Sequence, residues 1–466
     1  MLPEAFIATM KQLLSASNFE RFLAEMQRPP HAFVRKNPSK SGAQLDLQSA
    51  HTVPWCAEGY ALEERPLFTA DPLLHAGCYY VQEQSSMFLA HVLRQLISGP
   101  ATMIDFCAAP GGKSTLAQSL LPEGSALIAN EPIRQRANIL MENIQKWGAA
   151  NVIVTNNYPK DLARTGVKAD IVLVDAPCSG EGMFRKDPDN IGEWTPRKVA
   201  ECQALQRDIL TQAWKCLRPG GYLIYSTCTF NTQENEENLH WLISEFDAET
   251  VHIPVSEDWN ICPSLLSNLE APLYRFIPGV GPSPQMPFGE GLFMAVVRKT
   301  GADAFDKPER KKAKSSLHPL HPTAATWLSK AETYTQTTIN DTLMALPPQL
   351  ATLYAQLSSL RILHAGIPLA AQKGKDLIPQ HALALSTALQ RGVFPEVELT
   401  KEQALQYLHR DAITLPADTQ RGFVLVTYQD IPLGFCKHLG NRTNNLYPQE
   451  WRIRQNLTPQ ASTHSD

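Results

Sequence analysis

The chain has 466 residues, of which 43% are hydrophobic and 19% charged, and its formal net charge is −4 at pH 7. This length is too great for one hydrophobic core, so two or three domains are expected. The slightly acidic balance excludes a uniformly basic nucleic-acid binder, and any such contact must rest on local basic patches.

Local features of the chain argue against two further classes: exported or membrane proteins, and proteins held by disulfides or a metal site. The N-terminus, from Met1 to Ala5, lacks a basic segment followed by a long apolar core, and no apolar run approaches membrane-spanning length. We therefore predict a cytoplasmic protein with no membrane partner. The nine cysteines are scattered without a Cys-x-x-Cys pair, which indicates a reduced chain without disulfides or a metal site.

Residues 1–100 open with a helical pattern at Phe6, Met10 and Leu13 and continue into an extended stretch that ends at Pro38. We predict a small N-terminal α+β domain here. The cations Arg35 and Lys36 lie in the extended stretch, where an RNA contact and an ordinary exposed loop are about equally compatible with the sequence.

Residues 101–300 alternate apolar strands with segments of helical period, the pattern of a parallel α/β sheet. One long helix is expected from about 196 to 217, and another begins near 231–234 with capping chemistry. The predicted strands are 103–106, 126–130, 152–154, 171–174, 221–225 and 291–298.

The first of these strands ends in a glycine-containing turn that opens a helix, which lets a ligand approach the backbone closely. The turn matches neither a P-loop nor a dinucleotide fingerprint, and alone it is equally compatible with a structural turn. Glu131 favours a binding site, because an acidic residue about 20 positions beyond such a turn typically holds ribose hydroxyls. The predicted cofactor loop comprises Cys107, Ala108, Ala109, Pro110, Gly111, Gly112 and Lys113.

Two cysteines each follow a predicted buried strand: Cys178 in Asp175-Ala-Pro-Cys-Ser-Gly180 and Cys228 in Tyr225-Ser-Thr-Cys-Thr229. In a doubly wound sheet both thiols would emerge at the carboxyl edge, where such sheets bind ligands. Either cysteine alone is more often a buried structural thiol. Together, beside a nucleotide-type site, the two cysteines favour a catalytic role over a structural one.

These motifs resemble the RsmB/RsmF (Nop/Sun) family of S-adenosylmethionine-dependent RNA cytosine-5 methyltransferases. The resemblance covers roughly residues 1–300 and rests on the two cysteine motifs, the cofactor loop and Glu131. It implies a Rossmann-like class I methyltransferase domain over 101–300. Further matches are Gly77 to Met87, Arg185-Lys-Asp-Pro188 and Arg218-Pro-Gly-Gly221.

The resemblance also implies roles for the site residues. Cys228 is the nucleophile, Cys178 assists proton removal and product release, and Lys113 approaches the cytosine. Asp175 ends its predicted strand, so we expect its carboxylate close to both the cofactor and the base, where it can hydrogen-bond the cytosine edge. One departure is Asn156, which stands near the position where many relatives carry an acidic residue that contacts the adenine. Asn156 can donate or accept a hydrogen bond there and is our candidate cofactor residue, but the sequence leaves open which residue contacts the adenine.

After a basic linker at 301–325, the remainder, 326–466, contains a predicted β-hairpin at 422–428 and 431–437. Residues 433–437 with Tyr447 and Pro448 resemble the PUA-like α+β domain of the RsmF branch. Interleaved cations and aromatics suit RNA binding there, although ordinary strand surfaces show the same mixture. The predicted RNA contacts are Arg35, Lys186, Lys437 and Arg442, with Arg452, Arg454, Tyr447 and Trp451 beside the last two.

The implied activity is methylation of cytosine in rRNA, in the decoding region of the small subunit, by a monomer that binds rRNA or the subunit itself. A DNA cytosine-5 methyltransferase would leave Cys228 unexplained. An amino-group methyltransferase is disfavoured because its Asn/Asp-Pro-Pro-aromatic motif is absent from the strand end at Asp175. A non-catalytic ribosome-assembly factor remains the alternative from a different class.

Overall fold

The computed structural model describes residues 2–45, 50–282, 289–301, 317–374 and 376–454. The basic run 307–316 of the predicted linker lies outside these ranges. The helices are α1 Glu4–Leu13, α2 Ala16–Met26, α3 Pro72–His75, α4 Phe88–Leu96, α5 Gly112–Leu120, α6 Arg134–Trp147, α7 Pro159–Arg164, α8 Asp189–Glu193, α9 Pro196–Cys216, α10 Glu236–Glu245, α11 Pro322–Ala325, α12 Pro348–Gln356, α13 His381–Leu385 and α14 Lys401–His409.

Within the described ranges the strands form four sheets. They are β1 Ala32–Lys36, β2 His51–Val53, β3 Cys56–Leu62, β4 Tyr79–Val81, β5 Thr102–Asp105, β6 Ala126–Asn130, β7 Val152–Thr155, β8 Ala169–Asp175, β9 Leu217–Thr227, β10 Ala248–Thr250, β11 Tyr274–Phe276, β12 Leu292–Lys299, β13 Thr335–Ile339, β14 Thr342–Leu346, β15 Ile362–Ala365, β16 Ile367–Lys373, β17 Asp376–Pro379, β18 Glu396–Glu398, β19 Gly422–Tyr428, β20 Ile431–His438 and β21 Thr443–Asn445.

The central sheet has the order β10-β12-β9-β8-β5-β6-β7-β15, with β11 paired to β12. Strands β5 to β9 run parallel and β12 is antiparallel to β9. Their side chains are almost all buried, because helices cover both faces of a parallel sheet. The predicted Rossmann-like α/β architecture is confirmed.

One edge of this sheet comes from the C-terminal region. Strand β15 pairs antiparallel with β7, so that Ala365 faces Ile153. The helix α11 and a bridge between His318 and Gln336 also lie in or just after the predicted linker range. The C-terminal region is therefore built into the central sheet, and the helix α11 lies within the range predicted as a linker.

The N-terminal region is divided between two neighbours. Its antiparallel sheet, β2-β3-β1-β4, shares a hydrophobic core with the C-terminal sheet β18-β19-β20-β21, in which Val34 and Tyr79 cluster with Tyr407 and Val424. Helices α1 and α2 instead pack on the central domain in a second cluster. That cluster contains Phe6, Phe22, Phe184, Trp194 and Phe230.

The predicted hairpin is formed by β19 and β20. Its turn residues, Gln429 and Asp430, have φ values of 52° and 60°, as a two-residue turn with the twist of a hairpin requires. In the part of the chain that the structure describes, no helix is both long and apolar enough to cross a membrane.

Candidate active site

The two cysteines meet at the carboxyl edge of the central sheet. Strands β8 and β9 are parallel neighbours with Asp175 opposite Ser226, so the loops that follow them leave the sheet side by side. The Sγ atoms of Cys178 and Cys228 are 3.3 Å apart. Both residues are half-buried free thiols, and the structure thus brings together the pair that the sequence singles out.

The pKa values of the two thiols shift in opposite directions. The hydrogen bond with Cys228 and burial raise the pKa of Cys178 well above its ordinary value. The same hydrogen bond lowers the pKa of Cys228 despite burial, because the Cys178 thiol can donate to a Cys228 thiolate, and the Lys113 cation acts in the same direction. Cys228 is therefore the thiol that becomes a thiolate first, which is the form that acts as a nucleophile.

Lys113 and Asp175 form an ion pair beside the thiols. Lys113 Nζ lies 2.9 Å from Asp175 Oδ2, and the hydroxyl of Ser226 donates to Asp175 Oδ1 at 2.7 Å. Burial disfavours the ammonium of Lys113, but the charge and hydrogen bond of Asp175, together with Cys228 and Asp105, outweigh burial and raise the lysine pKa. The ion pair of Lys113 with Asp175 and the two thiols therefore form a single polar cluster.

The predicted cofactor loop connects β5 to α5. At its start Asp105 accepts a hydrogen bond from the backbone N–H of Cys107 at 3.3 Å and from the hydroxyl of Ser114 at 2.6 Å. Burial raises the pKa of Asp105 to about 7. Gly111 has φ +117°, a conformation that L side chains rarely adopt, so the loop depends on glycine there. The sequence alone does not single out Asp105.

Glu131 lies at the end of β6, next to this loop, with a relative exposure of only 1%. Its Oε1 accepts from the backbone N–H of Ile133 at 2.9 Å, and its Oε2 lies 3.5 Å from Arg136. Asn156 uses its side-chain N–H groups to donate to the carbonyl oxygens of Glu131 and Pro132, both at 2.9 Å. Its predicted adenine contact remains a prediction, and the observed bonds give it a role in shaping this turn.

Arg35 does not face solvent, so the RNA contact predicted for it is wrong in this arrangement. The residue is 2% exposed. Its guanidinium donates to Gln82 at 2.7 Å and to Thr115 Oγ1 at 2.7 Å, and it lies 4.4 Å from the centre of the Trp147 ring. Arg35 therefore ties the N-terminal sheet to the helix that follows the cofactor loop.

The other predicted RNA contacts differ in accessibility. Lys186, Lys437 and Arg442 are exposed, and Lys437 lies over the Phe423 ring with 5.3 Å between Nζ and the ring centre. Tyr447 is 1% exposed, so the base stacking predicted for it is not available. The three exposed cations remain predicted RNA contacts.

Two buried carboxylates beside the cysteine loops are not predictable from the sequence. Glu181 follows the first loop and Glu234 follows the second, and their exposures are 1% and 0%. From the sequence, Glu234 is predicted only to help cap the start of a helix. Only the fold reveals that both side chains point into the space between the loops. Among the described residues, no group of three or more His, Cys, Asp or Glu side chains is arranged to hold a metal ion.

Family models match three parts of the chain. Residues 97–286 match the 16S rRNA methyltransferase RsmB/F model. Residues 2–84 match the N-terminal domain of 16S rRNA methyltransferase RsmF, and residues 394–453 match the methyltransferase RsmF PUA domain. The three matches together include both cysteine loops, the cofactor loop and the β19–β20 hairpin.

Relatives of similar length match nearly the whole chain. The chain is 32% identical to the ribosomal RNA small subunit methyltransferase F of Klebsiella pneumoniae (strain 342), over 96% of each chain. The protein of the same name from Escherichia coli (strain K12) is also 32% identical over 96% of each chain. NSun6 from Pyrococcus horikoshii, solved with SFG, has the same fold over 64% of this chain and 98% of its own, with 21% identity and a TM-score of 0.52.

Proposed function

The chain belongs to the RsmB/RsmF family of 16S rRNA methyltransferases, and from this premise we propose that it methylates carbon 5 of cytosine in small-subunit rRNA. The observation that carries this proposal is the contact between the thiols of Cys178 and Cys228, 3.3 Å apart. A methyltransferase that acts on an amino group needs no cysteine nucleophile, because the amine itself attacks the methyl group. A DNA cytosine-5 methyltransferase needs only one cysteine.

S-adenosylmethionine is the proposed cofactor, and when bound it supplies an electrophilic methyl group. The residues present fit it. The loop at 107–112 lies beside a helix N-terminus, and the Glu131 carboxylate lies at the end of the neighbouring strand, where it suits a ribose diol. A Cβ at Gly111 would lie 3.3 Å from Leu140 Cδ1, a tight contact, and the φ of +117° at this position disfavours any L side chain.

The first step is the addition of Cys228 to the base. Carbon 5 of cytosine is a weak nucleophile until the ring loses its aromaticity. When the Cys228 thiolate bonds to carbon 6, the electrons of the 5,6 double bond become available at carbon 5, which then takes the methyl group. Asp175 is proposed to hydrogen-bond the cytosine edge and hold a proton on the ring nitrogen, with Lys113 keeping the carboxylate in place.

The second step releases the product. The proton on carbon 5 must leave, its electrons restore the 5,6 double bond, and the bond between carbon 6 and sulfur breaks to return Cys228 as a thiolate. Cys178 is proposed to assist this step. The hydrogen bond with Cys228 is the largest cause that raises the pKa of Cys178, and it is lost once the Cys228 sulfur is bonded to carbon 6. Cys178 is then proposed to release its proton to solvent and, as a thiolate, to take the proton from carbon 5. The thiol that results can hydrogen-bond the Cys228 thiolate as it leaves.

The substrate is proposed to be rRNA, either free or in the small subunit, bound by a monomer. The PUA-type domain at 394–453 would contribute Lys437 and Arg442, while Lys186 lies on the loop after Cys178. Phosphate contacts of this kind fix the position of the RNA without reading its sequence. The decoding region is the proposed location of the target cytosine.

The direct test is to incubate the protein with labelled S-adenosylmethionine and small-subunit RNA, then to map 5-methylcytosine by bisulfite sequencing, in vitro and in rRNA from a deletion strain. We expect one or more cytosines to lose methylation in that strain. No methyl transfer to any cytosine would instead favour a non-catalytic assembly factor.

A further inference from the structure

The thiol contact depends on loops that lie beyond the ends of their strands. Two backbone hydrogen bonds join these loops: Ala176 N–H donates to the Ser226 carbonyl at 2.9 Å, and Gly182 N–H donates to the Cys228 carbonyl at 2.8 Å. A separation that must be held within a few tenths of an ångström needs further support. The two buried carboxylates provide it.

Glu234 holds the loop of Cys178. Its carboxylate accepts from the backbone N–H of Ser179 at 3.0 Å and also from the Ser179 hydroxyl. Gln206 donates to it at 2.7 Å and Asn231 at 2.8 Å. Ser179 follows Cys178 directly, so this carboxylate fixes the first thiol.

Glu181 holds the loop of Cys228. Its Oε2 accepts from the backbone N–H groups of Phe230 at 2.7 Å and Asn231 at 3.0 Å. Its Oε1 accepts from the indole N–H of Trp194 at 3.0 Å. Phe230 is two residues beyond Cys228, so this carboxylate fixes the second thiol.

The arrangement is reciprocal, because each loop is held by a carboxylate that belongs to the chain segment after the other cysteine. The two halves are also linked directly, since the hydroxyls of Ser179 and Thr229 lie 2.9 Å apart. The donors named here are all neutral, so each carboxylate positions backbone and side-chain groups without a salt bridge. Such fully buried networks specify one geometry when every member is satisfied.

We propose that Glu181 and Glu234 are positioning residues with separate tasks: Glu181 aligns Cys228 for addition to the base, and Glu234 aligns Cys178 for release of the methylated base. This inference rests on the proposed function and deepens it. Loosening one loop should slow its own step, by about ten- to a hundredfold for a displacement on the order of 1 Å. The two changes should therefore have opposite effects on the covalent intermediate.

The test compares Glu234→Gln, Glu181→Gln and the exposed control Glu245→Gln on α10. Each variant is incubated with S-adenosylmethionine and small-subunit RNA, and the protein–RNA adduct and 5-methylcytosine are followed in time. Glu234→Gln should accumulate adduct above the wild-type fraction. Glu181→Gln should form adduct slowly and accumulate none. Glu245→Gln should behave as wild type.

Thermal unfolding and cofactor affinity identify a variant that has lost its fold. In that case Ser179→Ala replaces Glu234→Gln, and Trp194→Phe replaces Glu181→Gln, with the same expected directions. Slower turnover with the wild-type adduct fraction in both variants would contradict the separate tasks and leave only a structural role. If wild type itself gives neither methylcytosine nor adduct, the proposed function fails and the positioning roles fail with it.

Discussion

Arg35 in the N-terminal sheet donates to Thr115 Oγ1, 2.7 Å away in the helix after the cofactor loop. The same guanidinium lies 3.3 Å from the carbonyl oxygen of Gly112. The N-terminal sheet is thus part of the wall behind the cofactor loop. A residue that reads as a surface cation in the sequence is structural support for the binding site.

This relationship predicts that Arg35→Leu weakens S-adenosylmethionine binding by roughly tenfold, because Thr115 and Gln82 lose a buried donor. Arg35→Lys, which keeps the charge, should lose less. Calorimetry with the cofactor measures the effect, and Arg65→Ala, at an exposed position of the same domain, is the control. Normal cofactor affinity combined with weaker RNA binding would restore Arg35 as an RNA contact.

Glu131→Ala should also weaken cofactor binding, because it removes the proposed pair of hydrogen bonds to the ribose. The expected cost is on the order of 1.5 to 3 kcal/mol, at least about a tenfold loss of affinity. Titration calorimetry compares it with Glu123→Ala, an exposed position before β6. Equal affinities for the two variants would place the ribose elsewhere.

The sequence predicts the central sheet well, because strands buried on both faces are continuous apolar runs. Strand β15 is not predictable in this way: its four residues carry no distinct pattern, and their partner, β7, lies far away in sequence. The cysteine pair is predictable from strand ends and resemblance. Glu181 and Glu234 are not, since a glutamate in a loop usually faces solvent, and only the fold buries them.

The reactivity of Cys228 should depend on pH in a defined direction. Its pKa lies below the ordinary value of 9.0, chiefly through the hydrogen bond from Cys178 and also through Lys113. Alkylation by iodoacetamide should therefore rise with pH through a midpoint below 9.0. Both Cys178→Ala and Lys113→Gln should move that midpoint to higher pH, because each removes a group that stabilises the thiolate.

Mass spectrometry of the peptide that contains Cys228 measures this profile without requiring methyl transfer. The buried thiol of Cys216 provides an internal reference, since burial raises its pKa to about 12. A midpoint that stays unchanged in both variants would contradict the assignment of Cys228 as the activated thiol.

The exposed cations of the C-terminal domain should contribute through phosphate binding. Lys437→Ala combined with Arg442→Ala should weaken RNA binding and reduce the slope of log affinity against log salt by roughly one for each cation removed. Cofactor affinity should not change. Arg197→Ala, which removes an exposed cation on α9, is the control. A salt dependence equal to that of wild type would remove this surface from the RNA site.

Substitutions on this surface leave the fold intact, whereas deletion of the C-terminal region would not. Deletion would remove β15 from the central sheet and expose the core that β1 and β4 share with the last sheet. A loss of RNA binding in such a fragment would then reflect damage to the fold.

The most direct measurement is denaturing electrophoresis of the protein with RNA after turnover in the presence of S-adenosylmethionine. If Cys228 adds to the base and Cys178 assists release, Cys178→Ala should accumulate a protein–RNA species that survives denaturation. Cys228→Ala and the double variant should form none, and neither should methylate. An adduct trapped by Cys228→Ala, with none in Cys178→Ala, would contradict the account and make Cys178 the nucleophile.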